Sequence, residues 1–188
     1  MGEFHWPWEY SFPPFFTIQK HAKTREIQLN TWSELIMKYQ KSLKQPILNV
    51  NDENSDLFIN KDLNRRLQVD GRQMIMDCLE RTAHAAPIDP KKRDKWEIYW
   101  FTLDEWASMI HKWASDNAML GSVCTIYEIA NGDNSLDQEF HGLNEDILLK
   151  ALRLLDKSGK CELIGDEGNN HLLPIKTITK IVIGYLKN

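Results

Sequence analysis

The sequence has few cysteines and no pattern that would place them in a disulfide framework. Cys78, Cys124 and Cys161 are far apart and lack CxxC spacing, which indicates free thiols in a reducing compartment. No uninterrupted apolar run approaches the ~20 residues that a membrane span needs. The start of the chain also lacks the basic region and aliphatic stretch of a signal peptide. These absences predict a cytoplasmic protein.

Catalytic motifs are missing as well. The chain has no GxxxxGK, GxSxG or HExxH, and its six histidines are scattered without a recognisable carboxylate partner. Residues 133–139 do not begin a calcium loop, because glycine is missing at the sixth position and glutamate at the twelfth. Cys78 lies on an apolar stripe and is interpreted as a core residue, not a nucleophile. We therefore expect no enzymatic activity, no metal and no cofactor.

Charge is unevenly distributed along the chain, whose net value is −4. Residues 1–94 hold 14 lysines and arginines against 13 aspartates and glutamates, a net charge of +1. Residues 95–188 hold 9 against 14, a net charge of −5. An acidic second half disfavours binding to a phosphate backbone.

Aromatic residues, by contrast, are concentrated near the start. Residues 4–16 contain seven of the 19 aromatic residues, interleaved with Pro7, Pro13 and Pro14. A proline lacks an N–H and biases the preceding residue towards extended geometry, so no helix is expected to run through residues 13 and 14. The segment is predicted to be an extended or polyproline-like arm. The residues alone leave open whether it covers the chain's own first domain or docks on a partner.

Apolar periodicity predicts three helices and a hairpin in the first half of the chain. A helix of about twenty residues is expected to begin after Lys23 and end near Pro46, and a short one to follow around residues 57–67. Asp70 is a plausible N-cap of a third helix. The segment WEIYWF then alternates as a strand does. Three short helices followed by a hairpin are the ingredients of a winged helix.

A similar order follows in the second half. Thr102 and Glu105 fit a capping box, and Asn144 fits the cap of the strongest helix, which closes at Gly159. A short strand and a short helix are expected between these helices, and CELIG is expected to be a strand after them.

The two halves look like one module used twice. Trp32 lies 47 residues before Leu79, and Trp106 lies 49 residues before Leu155. We predict an α+β, mostly helical protein in which an arm of residues 1–23 precedes two tandem winged-helix domains, residues 24–101 and 102–188.

Four long strings carry a family resemblance: WPWEYSFPPFF, TREIQLNTW, YWFTLDEW, and SVCTIYEIANGD with EFHGLNEDILLKALRLL. Over residues 4–164 the chain resembles the vacuolar protein sorting-associated protein twenty-five family, the small subunits of the ESCRT-II endosomal sorting complex. The resemblance implies tandem winged-helix domains in a cytosolic scaffold without enzymatic activity. It implies a Y-shaped assembly in which two copies join one each of two larger subunits. That assembly sorts ubiquitinated cargo into multivesicular bodies and recruits ESCRT-III. The chain would reach the endosomal membrane indirectly, through the complex, and a nuclear pool is left open.

The same resemblance implies a docking motif in the aromatic segment. In this family a Pro-Pro-x-Phe motif docks into hydrophobic pockets on the larger subunits, and aromatic side chains are typical binding anchors. The matching residues here are Pro13, Pro14, Phe15 and Phe16, with Trp6, Trp8 and Phe12 as further candidates. The alternatives are that Trp6, Trp8 and Phe12 cover the first domain, or that some aromatics pack inward while others meet a partner.

The family's second domain binds the first subunit of ESCRT-III. The polar loop that carries Asp133, Asp137 and Glu139 is a candidate for contact with a basic helix of that partner. A solvated loop without a binding role is the alternative.

The chain departs from the family at about residue 165. Family members usually stop soon after a short strand of the type Gly-x-Lys-Phe-Phe, whereas GDEGNN is followed here by HLLPIKTITKIVIGYLKN. Residues with strong β propensity recur in this tail: Ile175, Ile178, Ile181, Val182, Ile183 and Tyr185. The tail either replaces the second wing's return strand or is an exposed, aggregation-prone segment. An altered transcript end is a further explanation.

Winged helices also bind nucleic acid through their third helix, so a transcription-related function is the alternative. The candidate third helices, residues 70–83 and 144–158, mix basic with acidic side chains and present no cationic face. The turn Lys91-Lys92-Arg93 is the basic cluster of the sequence and is expected to be a solvated wing tip. No nucleic-acid partner is therefore expected.

Overall fold

The computed structural model describes residues 4–165 and 178–183. The fold is α+β, and the chain divides into two compact units, Met1–Trp100 and Phe101–Asn188. Within the described residues, no helix has the length and apolar character needed to cross a membrane.

The first unit opens with two 3-10 turns instead of the predicted extended arm. They span Trp8–Ser11 and Pro13–Phe16. The second turn is closed by the Phe15 N–H, which donates to the Phe12 carbonyl, and by the Thr17 N–H, which donates to the Pro14 carbonyl. Neither bond needs an N–H from residue 13 or 14, so the prolines are compatible with the first positions of the turn. The prediction of an extended arm was wrong for this reason.

Helix α1, Ala22–Leu43, follows with the length expected from the sequence. It ends at Lys44, whose left-handed backbone conformation is typical of a helix C-terminus. Trp32, Leu35 and Ile36 form its buried face.

The short helix predicted around residues 57–67 is absent, and a small hairpin stands in its place. Strand β2, Ile59–Asn60, pairs with β3, Arg65–Arg66. The left-handed conformation of Asn64 belongs to the turn between them, and the Leu67 N–H donates to the Phe58 carbonyl across the hairpin. Phe58 and Leu67 are both buried, so their hydrophobicity reflects burial in the core and not a helical stripe.

The rest of the first unit is one helix and a three-stranded antiparallel sheet. Helix α2 spans Val69–Arg81, and the sheet is built from β1, Ile47–Asn49, β4, Ala85–Pro87, and β5, Lys95–Ile98. Strand β5 lies between β1 and β4. The predicted cap Asp70 is wrong, because Gln68 precedes the helix. Asp70 instead lies in the first turn, where its charge complements the helix dipole.

The second unit begins with the predicted capping box. The Thr102 hydroxyl accepts from the Glu105 N–H, and the Glu105 carboxylate accepts from the Thr102 N–H at the start of α3, Leu103–Asp116. Strand β6, Val123–Cys124, and helix α4, Ile126–Asn131, follow. Helix α4 has a capping box of its own, between Thr125 and Glu128, that the sequence analysis missed.

The last helix of the second unit and its sheet agree with the sequence pattern. Helix α5 spans Glu145–Lys157, and the Asn144 side chain accepts from its first N–H groups. Strand β7, Cys161–Gly165, precedes β8, Ile178–Ile183. The tail thus contributes a strand within residues 178–183, whereas Ile175 and Tyr185 lie outside the described residues.

The three-stranded sheets of the two units share one strand order. Strand β8 lies between β6 and β7, as β5 lies between β1 and β4. Val182 is opposite both Val123 of β6 and Glu162 of β7, so β8 is hydrogen-bonded to a neighbouring strand on each side. Trp32 on α1 and Trp106 on α3 are both fully buried, each on the first α-helix of its unit.

Replacing either tryptophan by alanine should therefore destabilise mainly its own unit. A large-to-Ala change in a core costs about 3–5 kcal/mol, because it loses burial and leaves a cavity. Limited proteolysis of Trp106→Ala should degrade residues 102–165 first and leave residues 24–98 protected; Trp32→Ala should show the reverse order. Equal loss of protection in both units would show that they unfold as one.

Candidate functional site

The second 3-10 turn is fixed to helix α1 by hydrogen bonds and by aromatic contacts. The Phe15 carbonyl accepts from the Trp32 indole N–H at 3.0 Å and from the Gln28 amide at 2.8 Å. The Phe15 ring stacks on Trp32 with ring centroids 4.3 Å apart, and Phe16 meets Trp32 edge-on at 5.5 Å. The turn is thus part of the core of the first unit.

Two of the predicted docking residues are consequently buried in the chain itself. Phe15 is 6% exposed and Phe16 is 2% exposed. A ring that is already covered by its own domain has little surface left to give to a partner. Phe15 and Phe16 are thus core residues in this conformation, and their role as docking anchors stays a prediction.

The opposite side of the same turns is exposed. Trp8 is 72% exposed and Phe12 is 49% exposed, with ring centroids 6.1 Å apart. Pro13 and Pro14 are exposed beside them. We call these four residues the Trp8 surface. An exposed tryptophan next to other apolar groups is characteristic of interaction sites, because burying this apolar surface against a partner gives a favourable free energy of binding.

Trp6 belongs to the first unit and not to the exposed surface. It is half-buried and stacks on Tyr10 at 4.0 Å and on Tyr39 at 5.3 Å. The Tyr10 hydroxyl contacts the Asp56 and Ile59 carbonyls, and burial followed by the Asp56 charge raises the pKa of this phenol. The neutral phenol therefore remains a donor that fixes the first turn.

The backbone of the first turn is also held by a buried amide. The Asn60 amide donates to the Tyr10 carbonyl at 2.8 Å, and its oxygen accepts from the Leu63 N–H. Both 3-10 turns are therefore attached to the unit by side-chain amides, Asn60 for the first and Gln28 for the second. The TREIQLNTW string contains Gln28 and Trp32, but its contact with residues 13–16 is not apparent from spacing.

The acidic loop of the second unit is ordered by buried groups. Asp133, Asp137 and Glu139 are all exposed. Beneath them, the Trp113 indole N–H donates to the Asn134 carbonyl at 3.0 Å.

Two further contacts anchor the same loop. Phe140 is fully buried and meets Trp113 edge-on, with ring centroids 5.4 Å apart. Ser135 is buried, and its hydroxyl lies 3.0 Å from the His141 ring. The carboxylates are therefore presented by a fixed backbone. Leu136, which is 60% exposed, adds an apolar side chain among them.

Two arginines of the first unit lie where a nucleic-acid-binding face would be expected, and both make contacts within the chain. Arg72 on α2 is buried and donates to the Leu67, Val50 and Asp52 carbonyls. Arg93 of the basic turn lies 2.8 Å from both Asp77 and Glu80, and the hydrogen bond to Glu80 is the main cause of its raised pKa. Arg72 is buried among backbone carbonyls, and the charge of Arg93 is balanced by two carboxylates.

Two features bear on catalysis: clusters of side chains that could hold a metal ion, and reactive cysteines. Among them, no three histidine, cysteine or acidic side chains form a group that could hold a metal ion. Burial raises the pKa of the Cys161 thiol to about 12, and it also raises the pKa of Cys124. A thiol is reactive mainly as the thiolate, so these cysteines are not suited to act as nucleophiles.

Residues 9–144 match the model of a protein family described as ESCRT-II complex subunit. The chain belongs to the ESCRT-II complex subunit family. It is 46% identical over 170 residues to vacuolar protein-sorting-associated protein 25 of Drosophila melanogaster, a match that covers 90% of this chain and 97% of that protein. It is 38% identical to the Homo sapiens protein of the same name, over 86% of this chain and 92% of that protein.

Solved structures of ESCRT-II components have the same fold. The crystal structure of subunit VPS25 of the endosomal trafficking complex ESCRT-II has a TM-score of 0.77 and 29% identity, covering 94% of this chain and 98% of that one. A chain in the crystal structure of endosomal complex ESCRT-II (VPS22/VPS25/VPS36) has a TM-score of 0.76 and 29% identity, with the same coverage. These relatives are named as subunits of a sorting complex and not as enzymes.

Because Phe16 is buried and Trp8 is exposed, alanine substitutions at these two positions should affect stability to different extents. Phe16→Ala should lower the free energy of unfolding by about 3–5 kcal/mol, because it opens a cavity against Trp32. Trp8→Ala should change it by about 0.5 kcal/mol or less, as expected for an exposed side chain. Chemical denaturation of both variants tests this. A large destabilisation by Trp8→Ala would show that residue 8 is part of the core.

Proposed function

We propose that the chain is a non-enzymatic scaffold subunit of ESCRT-II that acts in endosomal sorting and joins the two larger subunits through its Trp8 surface. The observation that carries this proposal is the exposure of Trp8, Phe12, Pro13 and Pro14 on a segment whose other aromatic residues are buried or half-buried. Family membership and the complex in which VPS25 is found with VPS22 and VPS36 support it. Two copies of this chain per complex are proposed, as in the family.

The chemistry of the Trp8 surface suits a hydrophobic pocket on a partner. Trp8 and Phe12 are large rings with few rotamers, so little side-chain entropy is lost when they bind. Pro13 and Pro14 restrict the backbone beside them. Phe15 and Phe16 contribute by anchoring the turn to its own unit, which leaves the prolines and the two exposed rings to contact the partner.

Each unit is proposed to be a winged helix. The shared strand order, with the last strand of each unit in the middle of its sheet, supports this. In the first unit the hairpin of β2 and β3 takes the place of the second helix. In the second unit, β8 takes the place of the return strand of the wing.

The second unit is proposed to recruit the first subunit of ESCRT-III through the acidic loop. Asp133, Asp137 and Glu139 provide negative charge, and Leu136 provides an apolar contact for a basic amphipathic helix. In this function the chain is cytoplasmic and reaches the endosomal membrane through the complex. There it takes part in sorting ubiquitinated cargo into multivesicular bodies.

The Trp8 surface is tested by affinity for the pair of larger subunits. Trp8→Ala and Phe12→Ala should each weaken binding by about 2 kcal/mol or more, because buried aromatic anchors dominate such interfaces. Pro13→Ala with Pro14→Ala should weaken it through the lost contacts and the more flexible turn. Isothermal titration with unchanged melting temperatures would establish that the loss is one of contact.

Ile88→Ala is the matched control, because Ile88 is an exposed apolar residue of the same unit that lies outside the Trp8 surface. The affinity of the Ile88→Ala variant for the larger subunits should equal that of the unsubstituted chain. If Trp8→Ala and Ile88→Ala bound equally well, assembly through the Trp8 surface would be wrong.

The acidic loop is tested by binding kinetics with the ESCRT-III subunit at two salt concentrations. Changing Asp133, Asp137 and Glu139 to their amides should slow association and flatten its dependence on salt, because rim charges act mainly on the association rate. Leu136→Ala should instead speed dissociation.

An equal charge change elsewhere on the second unit serves as the control. Asp116, Asp156 and Glu162 are exposed carboxylates outside the loop, and their conversion to amides removes the same charge. A similar loss of association rate in both triple variants would point to net charge and not to the loop. Unchanged association rates in the loop variant would show that the loop is not part of the interface.

A further inference from the structure

Apart from the Thr17 N–H, which closes the second 3-10 turn, the described backbone of residues 17–20 makes no hydrogen bond to the backbone of a strand or helix. Thr17 is extended, and residues 17–20 belong to no helix or strand. In a segment of this kind the backbone groups must find partners among side chains or water. The conformation of the turn therefore depends on which side chains supply those partners.

Gln28 supplies several of them from one buried position on α1. It is 7% exposed. Its amide nitrogen donates to the Phe15 carbonyl at 2.8 Å and to the Thr17 carbonyl at 3.0 Å, and its oxygen accepts from the Gln19 N–H at 3.0 Å. Both amide hydrogens and the amide oxygen are therefore used on the backbone of residues 15–19.

The residues that Gln28 holds are themselves hydrogen-bonded to residues of the Trp8 surface. The Phe15 N–H donates to the Phe12 carbonyl, and the Thr17 N–H donates to the Pro14 carbonyl. Fixing residues 15 and 17 therefore fixes the peptide groups of Phe12 and Pro14, which belong to the Trp8 surface. Gln28 itself is buried, so it has little surface with which to contact a partner.

We propose that Gln28 is a positioning residue for partner docking, one that holds the Trp8 surface in its binding geometry without touching the partner. This inference rests on the proposed function of that surface. Without the Gln28 amide, the turn populates its bound geometry for only part of the time. The apparent dissociation constant rises in inverse proportion to that fraction, so a turn that is correct one time in ten binds about tenfold more weakly.

Gln40 provides a matched control on the same helix. It is 3% exposed, and its amide donates to the Ile47 carbonyl at 3.2 Å, where it holds strand β1 and no part of the N-terminal turns. Gln28→Met and Gln40→Met remove the same amide from a buried position of α1. Both should lower the melting temperature, but only Gln28→Met should weaken docking.

The experiment measures three quantities on the full chain: the melting temperature, the affinity for the VPS22–VPS36 pair, and hydrogen exchange of the Phe15 and Thr17 amides. For Gln28→Met we expect about tenfold weaker affinity, with faster exchange at both amides. Gln40→Met should show neither change. Gln28→Asn keeps an amide but shortens its reach by a methylene, and provides a second variant for the same comparison.

The possible outcomes separate this inference from the proposed function. If Trp8→Ala weakens docking while Gln28→Met and Gln40→Met have equal affinities, Gln28 has only a structural role and the inference is wrong. If Trp8→Ala leaves docking unchanged, the proposed function fails and the inference fails with it. Unchanged exchange at Phe15 and Thr17 in both Gln28 variants would also overturn it, independently of any partner.

Discussion

The contact between Phe15 and Trp32 is the interaction on which the first unit and its exposed surface both depend. The two rings are stacked with their planes 2° apart, and the Phe15 carbonyl accepts from the Trp32 indole N–H. A single residue of the turn is thus held by its ring and by its backbone. Because Trp32 is fully buried on α1, the position of the turn is set by the core. The same contact determines which side of the turn faces solvent.

The sequence predicted most of the helices because their signals are local. The capping box of Thr102 and Glu105 and the cap at Asn144 each depend on residues within three positions of each other, and the structure has both. The failed prediction of a helix at residues 57–67 has a different cause. Phe58 and Leu67 are buried through contacts with residues distant in the chain, and apolar spacing does not distinguish this from a helical stripe.

The sequence predicted an aromatic segment at residues 4–16 but not which of its side chains are buried. A phenylalanine that fills a domain's own core and one that fills a partner's pocket have the same composition and the same hydrophobicity. Phe16 is distinguished from Phe12 by the direction of the backbone within the 3-10 turns. That direction is set by Gln28, Asn60 and Trp32, which are remote in sequence from the turns they hold. Local patterns do not contain this information.

The central position of β8 affects the order in which the two units can fold during synthesis. The first unit has all of its described strands once residue 98 has been made, whereas the sheet of the second unit cannot close before residues 178–183 are available. Domains generally fold as units, with the N-terminal one first. During the interval, β6 and β7 lack the strand that joins them. We therefore expect the first unit to fold, with its aromatic surface in place, before the second unit receives its middle strand.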